Sequence, residues 1–268
     1  MAMALSIFGI LNITADSFSD GGRYLKPKAA LAKARELIAG GADVLDIGAA
    51  SSHPDAGPVG GREEIARLKK IVPALMAEGA AVSIDSFEGE VQRWALAQRV
   101  AWLNDIHGFP DAALYPELAD SDCGLIVMHA VQAQGIATRV DVPPEEIMQR
   151  MFDFFDVRIG ALLAAGIDKS RIVLDPGMGF FLGTNPLTSI EALRRLPELG
   201  PRYDLPVLVS VSRKSFIRAL AGVSATDAGA ATLAAEIFAV SRGASMIRTH
   251  DPKALRDAIV VLQSLDRT

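Results

Sequence analysis

Eight short runs of apolar residues recur along the chain, and each is followed by a stretch with the periodicity of a helix. The runs are continuous rather than alternating, which is typical of strands buried on both faces in a parallel sheet. In order they read LSIFGIL, DVLDIG, AVSIDS, VAWLND, GLIVMH, RIVLD, LPVLVSVS and ASMIRTH. Because strand–helix alternation implies right-handed parallel crossovers, eight units in 268 residues predict a (β/α)8 TIM barrel, with residues 1–268 as a single domain.

A doubly wound open sheet is the alternative α/β fold. That fold would require a glycine-rich nucleotide-binding turn after the first strand, and the sequence there, GILNIT, is not one. The glycines of AGG, AEG, AAG and SRG fall instead at the predicted C-termini of helices. No linker or low-complexity segment divides the chain, so the barrel is favoured.

The composition excludes several classes of function. The chain has 27 Lys and Arg against 32 Asp and Glu, a formal net charge of −5, and no cluster of positive charge that would indicate a nucleic-acid surface. Its one cysteine, Cys123, cannot form a disulfide within the chain, which fits a reducing compartment. The N-terminus lacks the basic start of a signal peptide, and no apolar run reaches the about 18 residues of a membrane span. We therefore expect a soluble cytoplasmic protein with small-molecule ligands.

Polar residues stand at the end of nearly every predicted strand, where barrel enzymes place their active sites. They are Asn12, Asp46, Asp85, Asn104, Asp105, His129, Asp175, Ser212, Lys214, Arg248 and His250. Singly, each has a structural explanation: Asp46 is most simply a loop anchor or an inward hydrogen-bond partner, and His129 a core histidine. Because unpaired buried acids are costly, so many of them on one rim indicate a shared polar ligand.

The residue types at these ends suggest what that ligand is like. Asp85 and Asp175 can accept a forked pair of hydrogen bonds from an amidine-like edge, and Asn104 offers a heterocycle both a donor and an acceptor. Arg248 and His250 end the last strand, where barrel enzymes often hold phosphate.

Two further residues and one segment extend this prediction. The amide oxygen of Asn12 suits a hard cation that accompanies a diphosphate. Lys214 follows a strand end and could serve either part of the ligand. The stretch NITADSFSDGG is polar and ends in glycine, as expected of a mobile lid or of an ordinary loop.

At these positions the chain resembles the dihydropteroate synthases. The resemblance is carried, in order and over nearly the whole chain, by GILNITADSFSDGG, DIGAASSHPDA, VSIDSF, LNDIHGF, VMH, LDPGMGF, SVSRKS and IRTH. The family joins p-aminobenzoate to 6-hydroxymethyl-7,8-dihydropterin diphosphate, which yields 7,8-dihydropteroate and pyrophosphate on the way to folate. The resemblance also implies Mg²⁺ as a cofactor and a homodimer, with no nucleic-acid or membrane partner.

The resemblance assigns roles to the matching residues. The pterin edge would be bound by Asp85, Asn104 and Asp175. Lys214 would contact the pterin carbonyl and line the aminobenzoate pocket. Arg248 would flank the pterin ring. We take Asp85 and Lys214 as the catalytic pair.

The remaining roles concern the diphosphate and the second substrate. Arg248 and His250 would reach the diphosphate, and Asn12 matches the magnesium ligand. The aminobenzoate-pocket positions are Ser52, Pro54, Phe180 and Ser215.

The resemblance leads to a hypothesis about mechanism. Departure of pyrophosphate before attack would leave a pterin-methyl cation, which Asp85 would stabilise electrostatically. The arylamine then attacks the methylene carbon without a strong general base. The loops at residues 15–22 and 49–61 would close and exclude water.

The chain departs from the family pattern in two loops. Where the family commonly has Gly-Glu-Ser-Thr-Arg-Pro-Gly, this chain has Ala50 for Glu, Ser52 for Thr, His53 for Arg and Asp55 for Gly. We expect His53 to join the diphosphate site and to make substrate affinity rise as pH falls toward about 6.

After the sixth strand, DPGMGFFLG replaces the common Asp-Pro-Gly-Phe-Gly-Phe-Gly-Lys, by substitution or by insertion. Either way Phe181 adds a ring beside the aminobenzoate pocket. These segments are similar to the sulfonamide-insensitive subset of the family, in which added bulk can exclude the larger sulfonyl group.

Two rival functions stay open. Corrinoid-dependent methyl transfer from methyltetrahydrofolate uses the same kind of pterin-binding barrel, but it needs neither a diphosphate site nor an aminobenzoate pocket, and SVSRKS followed by IRTH favours the synthase. A non-catalytic pterin-binding relative is the other alternative, and the intact set of strand-end residues argues against it. Pyrophosphate release separates all three.

Overall fold

The computed structural model describes residues 5–14, 26–132 and 135–265. Eight parallel strands stand in the order β6-β5-β4-β3-β2-β1-β8-β7. Their bounds are β1 (Ser6–Asn12), β2 (Val44–Gly48), β3 (Val82–Asp85), β4 (Trp102–Asp105), β5 (Gly124–Met128), β6 (Ile172–Asp175), β7 (Leu208–Val209) and β8 (Met246–Thr249). A parallel bridge between Leu174 and Val207 joins the two ends of the sheet. The prediction of a (β/α)8 barrel is confirmed.

Helices connect the strands and cover the outside of the barrel. They are α1 (Pro27–Ala39), α2 (Gly61–Leu68), α3 (Val72–Ala77), α4 (Gly89–Ala97), α5 (Tyr115–Ala119), α6 (Ile147–Ala164), α7 (Pro186–Arg194), α8 (Leu199–Tyr203), α9 (Ser215–Ala221), α10 (Gly229–Ser241) and α11 (Pro252–Leu265). Among the described residues, none of these helices is both long and apolar enough to cross a membrane. The extent of the domain over residues 1–268 stays a prediction.

Two elements differ from the sequence prediction. The stretch REEIARLKKIVPALMAEG, residues 62–79, has the periodicity of one helix but forms two, α2 and α3. Pro73 in the first turn of α3 has no amide hydrogen with which to continue a helix from α2. The strand expected over residues 205–212 has only two residues in regular pairing, Leu208 and Val209. It begins after Pro206, whose carbonyl accepts a hydrogen bond from Leu174 N at 3.0 Å.

The register of the strands explains why the polar residues meet. Alternate residues of a strand share a face, and one face of these strands carries an apolar cluster, formed by Phe8, Val44, Trp102, Ile126, Val173, Leu208 and Met246. Two residues further along four of those strands, on the same face, stand Asp46, Asn104, Asp175 and Arg248. The barrel interior is therefore apolar toward the N-terminal ends of the strands and polar toward their C-terminal ends.

Candidate active site

A cavity opens at the C-terminal ends of the strands and brings together most of the predicted site. Eleven of the thirteen predicted residues line it: Asn12, Ser52, His53, Pro54, Asp85, Phe180, Phe181, Lys214, Ser215, Arg248 and His250. The lid predicted over residues 15–22 lies outside the described residues. The loop after β2 is described, and three of these eleven residues belong to it.

The other two predicted residues, Asn104 and Asp175, are buried beside this cavity rather than in its lining. Neither side-chain atom of Asn104 has a hydrogen-bond partner among the described residues, and the same holds for Oδ2 of Asp175. Burial raises the pKa of the Asp175 carboxyl to about 6, against the opposing effects of the Gly177 amide and Arg248. Because buried polar groups are nearly always hydrogen-bonded, these atoms offer donors and acceptors to a molecule in the cavity.

Arg248 bridges two carboxylates inside the barrel. Its Nε donates to Asp46 Oδ2 and its Nη2 to Asp85 Oδ2. Burial lowers the pKa of the guanidinium, but the carboxylates of Asp46 and Asp85 outweigh burial and raise it above the ordinary value. Burial also raises the pKa of Asp46, against the effect of Arg248. Asp46 is thus the inward hydrogen-bond partner that the sequence suggested.

The turn after β6 depends on glycine. Asp175 Oδ1 accepts a hydrogen bond from the Gly177 amide at 2.8 Å, so the carboxylate holds the turn with one oxygen. Gly177 has φ +69°, and a Cβ atom there would stand 2.2 Å from the carbonyl oxygen of His129. Only glycine fits this position, because both the left-handed backbone and the close carbonyl exclude a side chain.

Lys214 and Phe181 meet in the cavity. The ammonium of Lys214 lies 4.8 Å from the centre of the Phe181 ring, a cation–π contact. Burial, followed by the charge of Arg248, lowers the pKa of Lys214 to about 8. Phe181 is 6% exposed and also packs on Ile106, Met128 and Ala137. The second ring of the DPGMGFFLG stretch therefore both lines the cavity and packs under its loop.

Four residues form what we call the outer wall: His53, Asp55, Arg139 and Phe180. His53 packs edge-on against Phe180, with 5.5 Å between the ring centres. Arg139 donates to both oxygens of Asp55, at 2.7 and 2.5 Å, and its guanidinium carbon lies 5.9 Å from the centre of the Phe180 ring. The loop after β2 is thereby tied to the segment after β5, partly through Asp55, one of the departures from the family pattern.

The histidines of the cavity are less basic than the sequence suggested. Burial is the main cause that lowers the pKa of His53, which disfavours the charged form of its ring. Burial and the charge of Arg213 lower the pKa of His250 well below the ordinary value. Ser212 Oγ lies 2.9 Å from His250 Nδ1 and accepts from the His250 amide at 3.2 Å. His250 is thus a neutral hydrogen-bonding group here.

Sequence reasoning missed two residues that matter to this site. Gln92 on α4 is buried, and its Nε2 donates to Ser86 O at 2.9 Å and to Asp105 Oδ2 at 2.8 Å, which links the ends of β3 and β4. Arg218 on α9 lines the cavity. Both belong to helices, and attention to strand ends alone does not find them. Helical spacing could have found Arg218, which lies three residues after Ser215.

Asn12 is the described residue best suited to a metal ion. Its Oδ1 and the carboxylate of Asp85 both lie over Gly48, at 3.4 and 3.8 Å from where a Cβ atom of that residue would stand. Among the described residues, no group of three or more His, Cys, Asp or Glu side chains could hold a metal ion. Mg²⁺ suits such a site, since it keeps several waters and is often bound by few protein oxygens together with substrate phosphates.

Comparison with known proteins finds similarity along most of the chain. A family model described as pterin binding enzyme matches residues 8–250. The type-2 dihydropteroate synthase of Escherichia coli is 58% identical over 268 residues, which cover 100% of this chain and 98% of that protein. A structure of the Xanthomonas albilineans dihydropteroate synthase with 4-aminobenzoic acid has a TM-score of 0.88 and 34% identity, covering 99% and 94% of the two chains. The Yersinia pestis dihydropteroate synthase with a sulfonamide drug complex has a TM-score of 0.90 and 31% identity, covering 100% and 96%.

Proposed function

The chain belongs to the pterin binding enzymes and is a dihydropteroate synthase, a transferase of folate biosynthesis, and we propose that the cavity at the C-terminal ends of its strands is where it works. The observation that carries this proposal is the pair Asn104 and Asp175. Their buried polar atoms lack partners among the described residues and stand beside the cavity that holds Lys214 and Arg248. The amino-pyrimidine edge of a pterin offers the donors and the acceptor that these atoms require.

Asp85 is the residue that we assign to charge stabilisation. As the bond between the pterin methylene carbon and the diphosphate oxygen breaks, its electron pair leaves with pyrophosphate and positive charge develops on the pterin-methyl group. A carboxylate already fixed by Arg248 needs little reorganisation to stabilise that charge. The nitrogen of p-aminobenzoate then forms the new bond to carbon and loses a proton.

Three groups are assigned to the diphosphate. Arg248 supplies a permanent positive charge, whereas His250 and His53 supply hydrogen bonds, because burial lowers the pKa of both rings. Asn12 would hold Mg²⁺ together with substrate oxygens and water. When bound, Mg²⁺ neutralises charge on the diphosphate and makes pyrophosphate a better leaving group.

The test is pyrophosphate release in the presence of both substrates. Wild-type protein should release pyrophosphate only when p-aminobenzoate and the pterin diphosphate are both present. Asp85→Asn should lose most of this turnover, while Asp257→Asn, an exposed change on α11, should keep it. Since Asp85 also pairs with Arg248, unfolding of the variant is measured beside its activity. Near-wild-type turnover by folded Asp85→Asn would remove Asp85 from this role.

We also propose that this enzyme discriminates against sulfonamides, and that Phe181 contributes. Phe181 lines the cavity beside Lys214, and two residues of the outer wall, His53 and Phe180, line it as well. A planar carboxylate needs less room there than a tetrahedral sulfonyl that carries a further ring. A difference of about 3 kcal/mol, which is roughly a hundredfold in binding, is within reach of steric exclusion.

Growth and inhibition together test this proposal. The gene should rescue a synthase-deficient strain on sulfamethoxazole, and the purified enzyme should resist the drug. Phe181→Gly should restore sensitivity more than it harms use of p-aminobenzoate; its stability must be checked, since losing a buried ring costs about 3–5 kcal/mol. Tight inhibition of the wild-type enzyme would refute the proposal. A resistant Phe181→Gly would move the cause to the His53 loop.

The homodimer and the cytoplasmic location are proposals of the same kind. Large apolar side chains are exposed on several helices, among them Val157 on α6, Leu187 on α7 and Val260, Val261 and Leu265 on α11, and a group of such residues suits a surface between two copies. Light scattering of the purified protein should give twice the mass of the chain. A monomer at micromolar concentration would refute the dimer.

A further inference from the structure

Arg218 is a cation in the lining of the cavity, and it belongs to none of the motifs at the strand ends. It belongs to α9, and its position three residues after Ser215 places both side chains on one side of that helix. Both line the cavity, together with Phe180. Arg218 is half-buried, and part of its side chain lines the cavity.

The positive charge of Arg218 acts on His53, which lines the same cavity. After burial and the opposing effect of Asp55, the charges of Arg139, Arg218 and Lys214 all lower the pKa of His53. Burial lowers the pKa of Arg218 itself, yet an arginine remains charged at neutral pH. Lys214 and Arg218 line the cavity and Arg139 lies against Phe180, so three cations lie near the end that His53 occupies.

The three cations are not equivalent. Arg139 is exposed and already donates to both carboxylate oxygens of Asp55. Lys214 lies on the Phe181 ring and close to Asp175 and Arg248, toward the buried pterin end. Arg218 lines the cavity from α9, the helix that also carries Ser215.

We propose that Arg218 is a specificity residue that binds the carboxylate of the p-aminobenzoate substrate; this rests on the proposed function of the cavity. A guanidinium and a carboxylate form two parallel hydrogen bonds, which fix the direction of the ligand as well as its charge. The substrate enters as an anion and is partly desolvated in the cavity, so it requires a cation there. The hydroxyl of Ser215, on the same side of α9, can donate a further hydrogen bond.

This contact separates substrate from drug by charge, whereas Phe181 separates them by shape. Sulfanilamide is uncharged at neutral pH and presents sulfonyl oxygens in place of a carboxylate. Arg218 therefore strengthens binding of p-aminobenzoate without strengthening binding of sulfanilamide to the same degree. Specificity is a difference between two affinities, and a residue that raises only one of them increases it.

The test compares p-aminobenzoate with its neutral isostere p-aminobenzamide. In the pyrophosphate-release assay, Arg218→Met keeps most of the apolar stem and removes the charge. The KM for p-aminobenzoate should rise about tenfold to a hundredfold, as expected for a hydrogen bond between charged groups. The KM for the pterin diphosphate and the KM for p-aminobenzamide should each change by less than about threefold. The KM of Arg218→Lys for p-aminobenzoate should lie between the values of wild type and Arg218→Met.

Arg139→Met is the matched control, since it removes a cation from the same end of the cavity without touching its lining. Calorimetric titration of each protein with p-aminobenzoate and p-aminobenzamide, in the presence of pyrophosphate, measures the preference for a carboxylate directly. If wild type releases no pyrophosphate, the proposed function fails, and this titration still decides the role of Arg218. The proposal is overturned if Arg218→Met keeps the wild-type preference, or if Arg139→Met loses it instead.

Discussion

Removing the charge of Arg248 should destabilise this barrel strongly and in a pH-dependent way. Arg248→Met keeps a long apolar side chain and takes away both hydrogen bonds, to Asp46 and to Asp85. The two carboxylates are then left facing one another. Among the described residues, Arg248 is the positive charge that acts most strongly on Asp46.

The size of the effect follows from the burial of the two partners. The side chain of Asp46 is fully buried, whereas that of Asp85 is 19% exposed and can keep some contact with water. Breaking a buried ion pair from one side typically costs about 3–5 kcal/mol, because the charge that remains is uncompensated. We expect Asp46 to account for most of this loss, near pH 8.

The loss should shrink as the pH falls. Without Arg248, burial and the charge of Asp85 raise the pKa of Asp46 further. An acid whose pKa is raised by folding binds more protons in the folded state than in the unfolded state, so stability decreases as pH rises. Arg248→Met should therefore lose several kcal/mol near pH 8 and clearly less near pH 5.

Urea unfolding at several pH values measures both quantities, and an unchanged m-value shows that the midpoint shift reports stability. The double variant Arg248→Met/Asp46→Asn should recover part of the loss, since it removes one of the uncompensated charges. A loss for Arg248→Met of less than about 1 kcal/mol, equal at pH 5 and pH 8, would refute the buried bridge.

Three further predictions concern single side chains. Because the pKa of Lys214 is about 8, kcat/KM for the pterin diphosphate should decrease as pH rises through that value, and Lys214→Arg should flatten the decrease in a pH profile. Burial raises the pKa of Glu236 to about 8, so the free energy of unfolding should fall as pH rises from 4.5 toward 8. Glu236→Gln should remove that slope and add about 1–3 kcal/mol near pH 8.5 in urea unfolding. Gln92→Leu leaves Asp105 Oδ2 without its donor and should cost about 2–3 kcal/mol by the same measurement; a loss below about 0.5 kcal/mol would contradict the buried link between β3 and β4.

The fold was predictable because strands buried on both faces leave continuous apolar runs in the sequence. The same signal explains the errors. Apolar residues continue through the break between α2 and α3, so periodicity alone joins two helices that Pro73 separates. The run before Ser212 is apolar well beyond β7, although only Leu208 and Val209 pair regularly. Hydrophobicity reports burial, and burial does not require a regular hydrogen-bond ladder.

The site was predictable where it depends on strand ends and less so where it depends on register. Asp46 and Arg248 lie 202 residues apart in the chain, and they meet because β8, β1 and β2 are neighbours with fixed partners. No local pattern contains that information. His53 illustrates a second limit, because a sequence gives a histidine its ordinary pKa and only the cavity supplies the burial that lowers it.

Binding and stability are linked in this barrel through one set of atoms. The side chain of Asn104 and Oδ2 of Asp175 lack partners among the described residues, and each such buried group costs about 1–3 kcal/mol. A ligand that supplies the missing partners removes this cost and stabilises the folded state in proportion to its affinity. Apolar residues at these two positions would make a more stable barrel, but they would offer the pterin edge no hydrogen bonds. The polar residues at the strand ends thus lower the stability of the barrel, and substrate recognition requires them.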